Sequence, residues 1–121
     1  MIELNYNDFY TLWGEALESS DREMYVSEWS TSDIFYPDFD VDGLDLLEVS
    51  DALGNIWDVA HTSFAEMRKR SGMTQASFSK LLCVPFRTVQ NWEYHDRRCP
   101  DYYRLMVADY LGILKVKRII S

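Results

Sequence analysis

The chain has 121 residues, 47% of them hydrophobic and 15% aromatic, which excludes general disorder and suits one domain or a small domain with an appendage. Its net charge of −8 hides an asymmetry: residues 1–60 carry 15 Asp and Glu against one Arg, whereas residues 61–121 carry 5 acids against 11 Lys and Arg. No stretch reaches the roughly 18–20 apolar residues of a membrane span, and the first residues lack the pattern of a secretory leader, so a cytoplasmic protein without a membrane partner is expected.

Residues 1–6 read as a short strand. Asn7 or Asp8 is placed to cap a helix running to Glu18, with Phe9, Leu12, Trp13, Ala16 and Leu17 on one face. Arg22–Trp29 fits a helix or a strand equally well. Residues 30–43 read as a loop, and Asp38–Gly43 opens like a calcium-binding EF-hand loop, with acids at positions 1, 3 and 5 and Gly at 6. The closure is wrong: position 12 is Val49 instead of Glu, and Asp45 stands where an apolar residue belongs. The loop is therefore read as solvated and acidic, with no cofactor or metal. From Gly43 the chain turns helical again, with Leu44, Leu47, Leu53, Ile56, Trp57 and Ala60 as core candidates. Gly54 argues against one continuous helix, so a break is expected between Glu48 and Asp51, with Ser50 capping the second part. Ser63 to Glu66 forms a capping box, Arg68, Lys69 and Arg70 suit a helix C-terminus, and Gly72 supplies the stop.

The stretch from Met73 to Tyr94 organises the second half. Phe78, Leu82, Val84, Val89 and Trp92 are apolar at helical spacing, so two short helices joined by a tight turn bury them on a shared side. Thr74 is a good N-cap, and Pro85 cannot sit inside a helix but can launch one. The outer face of the second helix carries Arg87, Gln90, Asn91 and Tyr94, spaced i, i+3, i+4 and i+7. An interaction surface for protein alone is the other reading of that polar face.

This register resembles the helix-turn-helix of the Cro and phage-repressor (XRE, lambda-repressor-like) DNA-binding family over roughly Ser63 to Leu111. The resemblance rests on Met73-Thr74-Gln75, the apolar positions above, Arg87-Thr88-Val89-Gln90 and Trp92-Glu93. Ile56–His61 and Arg98–Tyr102 also look like short regulators of bacterial mobile elements. Two positions depart from the pattern. Cys83 stands where Gly is usual, so a positive φ there carries strain, and Tyr94-His95-Asp96 replaces a basic residue and Gly.

The resemblance implies a mainly α, lambda-repressor-like bundle whose helix Pro85–Glu93 enters the major groove of double-stranded DNA. Phe86, Arg87, Gln90 and Asn91 would face the bases, since Arg suits guanine and Asn suits adenine. Thr74, Gln75, Thr88, Arg97 and Arg98 would touch phosphates. A homodimer is common in that family.

Beyond the motif, Pro100-Asp101 opens a helix to about Leu111, with Tyr103, Met106, Val107, Tyr110 and Leu111 inward. Residues 113–120 alternate in part and suit a strand pairing with Ile2–Leu4 or a dimer element. Cys83 and Cys99 form no CxxC and are read as reduced thiols; with His61 and His95 they match no common zinc spacing. No phosphate loop, HExxH or GxSxG appears, so no catalytic residues are assigned and a non-enzyme is expected. The chain is divided as an acidic α or α+β region, 1–49, and a helix-turn-helix domain, 50–121. Three functions follow. The chain is a sequence-specific regulator, or an antitoxin-like or anti-defence protein whose acidic half binds a basic protein, or a protein-interaction module alone.

Overall fold

The computed structural model of the chain describes residues 2–35, 46–94 and 98–120. Seven helices and a two-stranded parallel sheet organise them, and the chain clusters into two compact units, residues 1–61 with 114–121 and residues 62–113. The division expected at 49/50 falls inside a helix, whereas these units divide at 61/62. The acidic Asp38–Gly43 loop, Leu44, Asp45, His95 and the phosphate candidate Arg97 lie outside the described residues.

In the first unit, β1 (Glu3–Asn5) runs directly into α1 (Tyr6–Glu18), because the Asn5 side chain accepts the Asn7 N–H at 2.8 Å. The cap thus falls earlier than Asn7 or Asp8, which lie within the helix. Phe9, Leu12, Trp13 and Ala16 form the buried face as expected. The ambiguous stretch is α2 (Arg22–Ser30), started by Asp21 accepting the Met24 N–H at 3.1 Å. Tyr25 is buried from α2 and donates its hydroxyl to the Leu12 carbonyl at 2.8 Å. Burial raises its pKa above the ordinary phenol value.

α3 (Leu46–Ala60) continues through Ser50 and Gly54 without the expected break. A mid-helix glycine costs only about 1 kcal/mol, against a buried stripe of Val49, Ala52, Leu53, Ile56, Val59 and Ala60 whose larger members each gain roughly 1.5–3 kcal/mol. Gly54 also admits a neighbour: a Cβ there would collide with the Arg22 guanidinium. That group donates to both Asp58 oxygens, at 2.9 and 3.2 Å. Leu47, expected in the core, is exposed because it precedes the stripe in the first turn. At the other end Trp57 stacks on His61 at 3.9 Å between ring centroids, and its indole N–H reaches Ser19 Oγ at 3.3 Å. β2 (Lys117–Ile119) pairs with β1 in parallel, Leu4 opposite Arg118, so the tail is a strand of this unit. The Arg118 guanidinium lies 5.2 Å from the Phe9 ring centre, a cation–π contact.

The second unit holds α4 (Phe64–Ser71), α5 (Gln75–Leu82), α6 (Phe86–Glu93) and α7 (Asp101–Tyr110). Ser63 and Glu66 form the reciprocal capping box, and Gly72 ends α4 at φ 73°. Phe64 is the hub of the core, with ring centroids 5.3 Å from Phe78 and 5.0 Å from Trp92; Trp92 in turn meets Tyr103 at 5.1 Å. α7 is turned differently from expectation. Arg104, Leu105, Val107 and Ala108 are buried, while Met106 and Tyr110 are exposed. The reason is Arg104, whose guanidinium donates to the Thr62 carbonyl and to Asp101, each at 2.7 Å. Bringing that charge inward carries Met106 and Tyr110 out.

Candidate nucleic-acid interface

α5 starts where the Thr74 hydroxyl accepts the Ser77 N–H at 3.1 Å. It ends at Cys83, the one positive-φ residue other than Gly among the described residues, at φ 56°. The left-handed turn lets the Val84 N–H reach the Ser79 carbonyl at 3.0 Å, and Pro85 then sets φ −59° ahead of α6. Two short helices therefore leave the turn at a fixed angle, with Phe78 and Val89 fully buried beneath them.

The inner end of α6 is pinned by charge. Arg68, from α4, donates Nε and Nη2 to the Glu93 carboxylate at 2.8 and 2.9 Å, and its Nη1 to the Met73 carbonyl at 3.0 Å. The Gln75 amide adds a bond to Glu93 Oε1 at 3.3 Å and another to the Tyr94 hydroxyl at 3.3 Å. Burial alone would raise the Glu93 pKa, but the bonds from Arg68 and Gln75 and the Arg68 charge outweigh it and hold the carboxyl below its ordinary value. Arg68 is correspondingly held above its own, chiefly by the same bond. Side-chain exposure of 18% for Arg68 and 5% for Glu93 makes this an interior pair, so solvent screens it little.

On the outer side, Phe86 and Arg87 are exposed, and Thr88, Gln90 and Asn91 are half-buried. No side-chain hydrogen bond or ion pair among the described residues engages Arg87, Gln90 or Asn91. Thr74 and Gln75 sit at the start of α5, the first using its hydroxyl as the cap and the second its amide in the clamp. Arg98 is exposed, 3.6 Å from Asp101. Phe86, Arg87, Gln90 and Asn91 are thus on one helix and Thr74 and Gln75 at the start of its neighbour, with Arg98 beyond the residues not described.

The charges of the second unit are sorted by role. Residues 62–113 carry 8 Lys and Arg against 5 acids. Glu93 and Asp101 are tied to Arg68 and Arg104, while Lys69, Arg70, Lys80 and Arg87 are exposed and in no ion pair among the described residues. The two pairs cancel, so the net positive charge of this unit rests on cations outside them, four of which are exposed and in no ion pair among the described residues.

Sequence reasoning missed the clamp. A signal existed: Glu93 lies four residues after Val89, on the buried side of α6, and a buried carboxylate needs a cationic or hydrogen-bonding partner. The sequence does not say that the partner is Arg68 rather than Lys69 or Arg70. Cys99 is buried, which pushes its thiol up to about 12, while Cys83 is exposed at the turn.

A contrasting feature of the first unit is a cleft of about 290 Å³ lined by Glu15, Glu18, Asp21 and Glu28 around Met24 and Trp29. Among the described residues no His, Cys, Asp and Glu side chains gather as a set of metal ligands, and no helix is long and apolar enough to cross a membrane. No family model, no curated protein and no solved structure matches the chain.

Proposed function

We propose that the chain is a non-enzymatic, sequence-specific regulator that binds double-stranded DNA through a lambda-repressor-like helix-turn-helix, with α6 in the major groove. One observation carries the reading. Arg87, Gln90 and Asn91 stand on the outer face of a helix whose inner face is locked by Val89, Trp92 and Glu93, and none of the three is used internally among the described residues. Eight residues of helix span about 12 Å, close to the width of the major groove. Bidentate donors fixed on a rigid helix suit base edges, and the exposed Lys69, Arg70, Lys80 and Arg98 supply phosphate attraction. A homodimer is part of the proposal, since the exposed Tyr102, Met106 and Tyr110 lie at i, i+4 and i+8 on α7.

The test is selection of bound duplexes from a random pool at two salt concentrations. A recovered motif, with affinity falling steeply as salt rises, supports the reading. Recovery of unenriched sequence at both concentrations contradicts it.

A second reading, an antitoxin-like protein whose acidic unit holds a basic protein, draws on the carboxylate-lined cleft beside Met24 and Trp29. Under it, Glu18→Lys with Glu28→Lys abolishes the protein complex and leaves duplex binding intact.

A further inference from the structure

We propose that Tyr94 donates its phenolic hydrogen to a backbone phosphate at the wall of the groove that α6 enters, an inference that rests on the DNA-binding reading. Tyr94 closes the outer face begun by Arg87 and Asn91, at i, i+4 and i+7, and is 61% exposed. Its hydroxyl oxygen accepts from Gln75 Nε2 at 3.3 Å, and that same nitrogen is held by Glu93, itself held by Arg68. The phenol oxygen is therefore positioned by a chain of three side chains reaching back to α4. Its own proton has no acceptor among the described residues.

What that proton meets follows from position along the helix. Recognition helices of this type read bases from their N-terminal part. Tyr94 lies seven residues beyond Arg87, about 10 Å further along the axis, in a groove about 12 Å wide. That places it at the wall, where phosphate oxygens are acceptors and carry charge. A neutral hydroxyl donating to an anion makes a stronger bond than one to water's neutral oxygen. A purely bracing role explains the side chain poorly, because its ring is mostly in solvent.

The experiment compares wild type with Tyr94→Phe on a duplex carrying the motif recovered by wild type and on a scrambled duplex. Loss of one charge-assisted hydrogen bond weakens both complexes about tenfold. The selected motif, the melting temperature and the slope of log Kd against log salt stay unchanged, since no charge is removed. Single methylphosphonate substitutions along the motif duplex locate the contact: among the positions where wild type weakens, one costs wild type about tenfold more than it costs Tyr94→Phe. Equal affinity of Tyr94→Phe, beside a motif that still depends on Arg87, removes Tyr94 from the interface and leaves the DNA reading standing. A loss confined to the motif duplex, or one accompanied by a lower melting temperature, overturns the phosphate role in favour of base reading or bracing. Wild type that selects no motif and binds no duplex removes the DNA reading together with this one.

Discussion

Arg68 holds both oxygens of Glu93, at 2.8 and 2.9 Å, and so ties α4 to the last residue of α6 across 25 positions of sequence. Glu93→Gln leaves the Arg68 charge in place without its counter-ion, a loss of about 2–4 kcal/mol at pH 7. Because the folded Glu93 pKa is depressed, its stabilisation is present above the ordinary carboxyl range and disappears as pH falls through the folded value. Urea unfolding of wild type and Glu93→Gln therefore shows a wide gap at pH 7 that narrows below about pH 4. An equal gap at both pH values contradicts the ion-pair account.

The features legible in sequence are those decided within a few residues. Ser63 with Glu66, Thr74, Gly72 and the strained Cys83 turn are all set by local backbone chemistry, and each stands where the residues predict. The apolar faces of α1 and of the α5–α6 pair were likewise readable from helical spacing. What was not readable depends on a distant partner. Gly54 is tolerated inside α3 because of the long buried stripe and the presence of Arg22, and α7 is turned by Arg104 seeking Thr62, 42 residues earlier. Gln75 is expected at a phosphate from its place at a helix start; that its amide also donates to Glu93 and to the Tyr94 hydroxyl, 18 and 19 residues away, could not be read locally.

Gly54→Ala sets two small effects against each other. Alanine gains about 1 kcal/mol of helix propensity, while the added Cβ displaces the Arg22 guanidinium from Asp58. With the two side chains 47% and 50% exposed, that pair is worth about 0–1 kcal/mol. Thermal unfolding of Gly54→Ala thus stays near wild type, and the same change made on Arg22→Ala stabilises by about 1 kcal/mol. A large destabilisation in the Arg22→Ala background contradicts this account of Gly54.

Cys83→Gly relieves a left-handed conformation that costs a residue with a Cβ about 1–2 kcal/mol. Greater freedom of glycine in the unfolded chain returns part of this, so the expected gain is about 0.5–1 kcal/mol, read as a modest rise in melting temperature. In native protein an alkylating reagent should label Cys83 quickly and spare Cys99, whose thiol is buried and raised to about 12. Equal labelling of both shows that the α6–α7 connection opens readily.

Arg104→Met keeps the length of the side chain but removes both donors. The Thr62 carbonyl and Asp101 lose their 2.7 Å bonds, and the unit loses about 2–3 kcal/mol in denaturant unfolding. Stability unchanged from wild type indicates that methionine packing replaces the polar bonds at no cost.

The central claim, that the outer face of α6 reads bases, is tested most directly by competitive binding of wild type and Arg87→Ala to the selected duplex and to its single-base variants. Arg87 is exposed and in no ion pair among the described residues, so its removal leaves the fold intact. The account predicts a loss of roughly 1–3 kcal/mol on the selected duplex, a relaxed preference at one base pair, and little change on unrelated DNA. Equal affinity and an unaltered preference at every position would contradict it.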